Sequence, residues 1–194
     1  MNMQDFSKES SVIKILSDSW SHWLTPDVKQ EYSEKSYYSY NSITHPNTNQ
    51  EFTRKMKGTR IIALNTENCY AFNFYLIGEH NDAGQEFEWL ENQLRKMEKN
   101  GEVAIIIGHH PPGNFDCIYP VASRLRALYD RFQHVIRLSL FGHTHYEEFE
   151  VVKAIEDGKP IGTIYVSSSF TPYKNRNPSF RAITLDVATK LPVR

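Results

Sequence analysis

Two stretches restrict the fold of this 194-residue chain more than any others: "EVAIIIGHHPPG" and, further on, "VIRLSLFGHTHYEEFE". Each contains a short, mainly apolar run, uninterrupted in "VAIII" and broken only by Arg137 and Ser139 in "VIRLSLF", and neither has the length of a helix. Such runs are strands buried on both faces, as in sheets whose parallel strands are joined through helices. Helical patterns stand where that arrangement needs them. "DAGQEFEWLENQLRKMEKNG" places Phe87, Leu90, Leu94 and Met97 on one stripe, with Asp82 and Gln85 spaced as a capping box and Gly101 as the stop. "VASRLRALYDRFQ" is a second helix, and "SSVIKILSDSWSHWLTP" is an earlier one whose Ile13, Leu16, Trp20 and Trp23 share a face up to Pro26.

"KSYYSYNSIT" and "TRIIALNTE" predict strands before these helices, and "YEEFEVVKAI", "KPIGTIYVSSS" and "FRAITLDVA" predict strands after them. The late strands lack intervening helices, so they are expected as antiparallel additions or as a second sheet. The expectation is a single domain of α/β (α+β) class, a layered sandwich of sheet and helices.

A composition of 40% hydrophobic and 23% charged residues supports a real core. The net charge of -1 gives no electrostatic reason to expect nucleic acid or an anionic membrane surface as partner. No segment reaches the ~20 apolar residues of a transmembrane helix. The polar start "MNMQDFSKESS" has no secretory h-region, so with Met1 as the true start the chain reads as soluble and cytosolic. Cys69 and Cys117 lack zinc-finger spacing. Read alone they are two buried thiols, and pairing requires "LNTENC" and "HHPPGNFDC" to be neighbours in space.

The histidines carry the chemistry. His109 and His110 follow the carboxyl end of a strand, where α/β sheets place ligands. In "FGHTH" an extended chain would turn His143 and His145 the same way with Cα atoms roughly 6.6 Å apart. That spacing suits two ions ~3.5–4 Å apart, each taking one imidazole. Histidines alone rarely hold such a centre, and the usual carboxylate sources, D-x-H, G-D-x-x and G-N-H-[DE], do not occur in the chain.

"GHHPPG" followed by "FGHTHYEEFE" resembles the last two motifs of calcineurin-like metallophosphoesterases, and more narrowly the acid sphingomyelinase-like phosphodiesterases. "LNTENCY", "DAGQEFEWLENQL" and "SSSFTPYKNRNPSFRAITLD" support the resemblance, which covers nearly the whole chain. It implies a metal-dependent phosphodiesterase of sphingomyelin or a related phosphate ester, with two zinc ions generating the hydroxide that attacks phosphorus. His109 and His143 would bind one ion and His145 the other. Tyr173 would contact substrate, and Cys69 and Cys117 would form a disulfide. A disulfide and the family together imply a secreted or lysosomal location. His110 stands where this branch often carries an apolar residue, and it is given no metal role. His22, His45, His80 and His134 are expected on the surface or in packing.

The family's first metal-binding motifs have no counterpart here. Residues 1–194 are therefore expected to be the C-terminal half of a catalytic domain, with the remaining catalytic groups in the absent half and little activity of the chain by itself. The competing expectation is a non-catalytic binding module that keeps part of the metal site.

Overall fold

The computed structural model describes residues 4–6, 9–41, 55–78, 81–172 and 175–193. Six strands form one sheet: β1 (Tyr38–Asn41), β2 (Thr59–Ala63), β3 (Val103–Ile107), β4 (Ile136–Phe141), β5 (Glu148–Lys153) and β6 (Pro160–Val166), in the order β1-β2-β3-β4-β6-β5. The apolar runs are its centre. β2, β3, β4 and β6 are mutually parallel, and β1 and β5 add an antiparallel strand at either edge. The late strands are thus antiparallel additions to the same sheet. "FRAITLDVA" does not extend it: the segment has only an isolated bridge between Leu185 and Pro192, closed by a turn at Asp186.

Among the described residues four α-helices accompany the sheet: α1 (Ser11–Ser19), α2 (Pro26–Lys35), α3 (Glu86–Asn100) and α4 (Tyr119–Arg131). Phe87, Leu90, Leu94 and Met97 of α3 are buried as their spacing predicts, packed with Leu125, Leu128 and Tyr129 of α4 against Ile62, Ala104, Ile106 and Ile164 of the strands. Alternate residues of β2 and β3 supply that face because successive side chains of a strand point to opposite sides. The helix-on-sheet layering expected of an α/β fold is therefore present. α1 is shorter than its pattern suggests; it ends at Ser19, and Trp23 lies beyond it, 58% exposed.

The start of α3 departs from a capping box. Gln85 adopts a left-handed conformation and closes a short 3-10 turn instead. Asp82 still caps the helix, its two carboxylate oxygens accepting from the backbone N–H of Phe87 at 2.9 Å and Glu88 at 2.8 Å. That turn sets Glu86, only 1% exposed, at the first position of the helix beneath the loop after β2. Its carboxyl accepts from the Asn65 backbone N–H at 2.7 Å and from the Asn68 amide at 2.6 Å. Burial pushes the Glu86 pKa well above the usual carboxylate range, and the Asn65 hydrogen bond opposes that shift without cancelling it.

Two outcomes follow for stability. Leu94→Ala, at a site with no exposure, is expected to cost about 3 kcal/mol in urea denaturation, while Phe115→Ala, at a site 92% exposed, stays within about 0.5 kcal/mol of wild type. A raised folded-state pKa means the folded protein holds its proton more tightly than the unfolded chain. Glu86 therefore favours folding most at low pH and progressively less as pH climbs from 4.5 through the raised value. A Glu86→Gln variant is expected to flatten that part of the Tm-against-pH curve, and an unchanged curve would remove Glu86 as its source.

Candidate metal centre

The parallel pairing of β3 and β4 brings the two histidine motifs together. Ile107 registers against Leu140, and the ladder runs past both strand ends: Gly108 N–H donates to Leu140 O and Gly142 N–H donates to His109 O, each at 3.0 Å. The carboxyl ends of neighbouring parallel strands lie at one edge of the sheet, so the loops that follow them share a site. Gly108 permits the approach. A Cβ there would sit 2.7 Å from the Phe141 ring and 3.0 Å from the Thr66 methyl.

Beyond the ladder the chain bends sharply. His143 has φ 77° and His145 φ 62°, both left-handed, so the "HTH" segment is not extended and its two imidazoles do not share a strand face as the sequence reading assumed. Non-glycine residues held in this region cost free energy and concentrate at functional sites. Arg176 braces the loop, donating to Thr144 O at 3.0 Å with its guanidinium over the Tyr146 ring.

His109, His110 and His143 form one cluster, with one nitrogen of each ring within 4.8 Å of the others. The His109 and His143 ring centroids are 5.3 Å apart, and those of His110 and His143 only 4.0 Å. His110, which the sequence reading left without a metal role, is the most buried of the three at 2% exposure. His145 lies outside the trio, close enough for its charge to act on His109. Desolvation holds the His109 ring below the usual histidine range, with the His110 and His143 charges adding to it and Glu67 opposing. That direction favours the neutral ring, the form that ligates metal.

Two carboxylates complete the cluster. His143 Nε2 pairs with Asp116 Oδ2 at 2.6 Å, and His110 Nε2 lies 3.5 Å from Glu67 Oε1. Imidazoles whose outer nitrogen is held by a carboxylate are oriented for metal binding through the other nitrogen. Both carboxylates sit next to the cysteines in sequence. Cys69 and Cys117 are joined as a disulfide with Cα atoms 4.7 Å apart, within an antiparallel bridge in which Ile118 N–H donates to Cys69 O and Ala71 N–H to Asp116 O, each at 2.7 Å. Cross-linking these two loops holds Glu67 beside His110 and Asp116 beside His143. Their closeness to the cysteine pair was the signal in the sequence that could have found them.

The donor set fits a borderline-soft divalent cation. Imidazoles with flanking carboxylates suit zinc, and the buried His110 Nδ1 and Asp116 Oδ1 have no hydrogen-bond partner among the described residues. Tyr70 covers the site, stacked on His110 at 4.3 Å and edge-on to His143 at 5.9 Å. A cleft of about 730 Å³ opens beside it, lined by Trp20, Tyr32, Tyr38 and Tyr75 and reaching Glu67 and His109.

Among the other expected positions, Tyr173, His45 and His80 fall outside the described residues. His134 is 55% exposed and pairs with Glu98 at 2.7 Å, and the His22 ring lies tilted against Trp23 with centroids 3.9 Å apart, both outside the cluster as expected.

No protein-family model matches the chain. Among curated proteins it is 32% identical over 175 residues to sphingomyelin phosphodiesterase 2 of Caenorhabditis elegans, covering 89% of this chain and 26% of that protein. Sphingomyelin phosphodiesterase B of Dictyostelium discoideum is 31% identical over 187 residues, covering 93% of the chain and 28% of the relative. The human cyclic GMP-AMP phosphodiesterase SMPDL3A is 27% identical over 190 residues, 91% of the chain and 39% of the relative. The chain thus spans between 26% and 39% of the length of these curated relatives. Over nearly all of its own length it belongs to the acid sphingomyelinase-like family.

Proposed function

We propose that this chain carries the histidine side of the active site of a metal-dependent phosphodiesterase that hydrolyses sphingomyelin or a related phosphate ester. The carrying observation is the convergence of His109 and His143 at one sheet edge, each from a different motif, beside two carboxylates. The relatives' activities support the reaction class, since those named are phosphodiesterases of sphingomyelin or of a cyclic dinucleotide.

In this reading His109 and His143 hold one zinc ion and His145 reaches a second, within a catalytic domain of which residues 1–194 are a part. Zinc, when bound, supplies Lewis acidity that neutralises the phosphoryl oxygens and eases the attack of water on phosphorus. The chain's own groups prepare the site. Asp116 fixes which ring nitrogen of His143 carries the proton, the ladder through Gly142 sets the height of the His143 loop, and Tyr70 screens the cluster from bulk water. The cleft between α1, α2 and β1 offers an aromatic wall for the organic part of an ester beside His109. The disulfide supports an oxidising location, secreted or lysosomal, because such bonds persist outside the reducing cytosol.

The test is hydrolysis of sphingomyelin and of a nucleotide phosphodiester by the full-length product that carries this chain, with zinc added and then chelated. Zinc-dependent turnover of at least one ester is expected, with His143→Ala lowering kcat by about 100-fold or more while the far-UV spectrum is retained. Turnover that persists in both His109→Ala and His143→Ala variants, or none with zinc present, would contradict the reading. Cys117→Ser is expected to lower thermal stability, and more so than Cys117→Ser made in already reduced protein, because the closed loop of the disulfide restrains the unfolded chain. Equal losses under both conditions would contradict that account.

A further inference from the structure

We infer that His110 is a metal ligand in its own right, so that His109, His110 and His143 hold one divalent cation as a three-imidazole site within this chain. The inference rests on the reading that a cation sits between the two motif loops, and it extends that reading to a residue it does not need. The sequence gives His110 no such task. The structure places it at the middle of the cluster: its ring centroid is 4.8 Å from that of His109 and 4.0 Å from that of His143.

Two observations point to a ligand rather than to packing. His110 is 2% exposed, yet its Nδ1 has no hydrogen-bond partner, and burying a polar nitrogen unpaired is costly unless something else satisfies it. Its Nε2 meanwhile lies 3.5 Å from the Glu67 carboxylate, an acceptor that favours the tautomer with Nδ1 as the lone-pair nitrogen. Asp116 stands in the same relation to His143, with its own Oδ1 also unpartnered. The site therefore has two carboxylate–histidine pairs of like design, and one imidazole from each motif loop is held this way.

The distances allow it. Tetrahedral zinc with bonds of ~2.0–2.1 Å needs its nitrogens about 3.4 Å apart. One nitrogen of each of the three rings lies within 4.8 Å of the others before any ion draws them in. The backbone that carries His110 is held by the Thr66 hydroxyl at 2.8 Å, and its ring by Tyr70, so the ring is oriented in advance and closure needs side-chain adjustment alone. The fourth position is left for water or a phosphate-ester oxygen, as in catalytic zinc sites with three protein ligands.

The experiment reads metal directly, without turnover. The protein labelled with 15N at histidine is titrated with zinc, and affinity is measured in parallel by competition with a chromophoric chelator. The His110 Nδ1 resonance is expected to move on zinc addition together with those of His109 and His143, while the His134 ring stays in place. His110→Leu is expected to weaken zinc binding by about 10- to 100-fold, and His134→Leu to leave it unchanged. If zinc binds, shifts His109 and His143, and leaves His110 unmoved, this inference fails while the phosphodiesterase reading stands. If zinc shifts none of the three rings, both fail. The wild-type resonance keeps the question decidable even if His110→Leu does not fold.

Discussion

One side-chain oxygen organises the site. Thr66 Oγ1 accepts from the backbone N–H of His109 at 3.1 Å and of His110 at 2.8 Å. Those two amides are the first to lack a sheet partner once β3 ends, and unpaired buried amides are costly. By taking both, Thr66 turns the chain at the strand end and ties the histidine loop to the loop after β2. That loop is itself held from below by Glu86 through Asn65 and Asn68, and from the far side by the Cys69–Cys117 bond. A buried carboxylate, a hydroxyl and a disulfide thus act in series. Each would be an expensive or idle feature of a structural loop, and together they fix the backbone from which three imidazoles project.

Much of the fold could be read from residue pattern. "VAIII" and "IRLSLF" are central parallel strands because they are short and mainly apolar, and Phe87, Leu90, Leu94 and Met97 of α3 are all buried. The meeting of His109 with His143 was readable too, since parallel neighbours end at the same edge. What escaped was set by tertiary context. The capping box failed at Gln85 because the turn needed to seat Glu86 overrode the local preference. "FRAITLDVA" has the alternation of a strand but no sheet edge to join, and it closes on Leu191 and Val193 through a turn instead. His110 escaped because the branch that the chain resembles often carries an apolar residue at that position, whereas the structure brings its ring into the cluster with His109 and His143.

The left-handed conformations of His143 and His145 mark the same boundary between regular structure and site. β4 is ordinary up to Phe141, and the following turn bends in a way that side chains disfavour. The ladder bond from Gly142 to His109, Arg176 at Thr144 and Asp116 at His143 each hold that turn from a different element. Strain that several independent contacts restrain is the usual condition of a prepared binding site. The aromatic cleft opens beside His109, so the histidine cluster, the strained loop and the cleft adjoin one another at the same sheet edge.

The central claim is that His109 and His143, one from each motif loop, share a single ion. A double-mutant cycle on zinc affinity with His109→Ala, His143→Ala and the pair tests it most directly. Shared ligation predicts strong non-additivity, with the double variant binding little worse than either single one. Losses that simply add would mean that the two histidines serve separate ions, and the account of one prepared centre would be wrong.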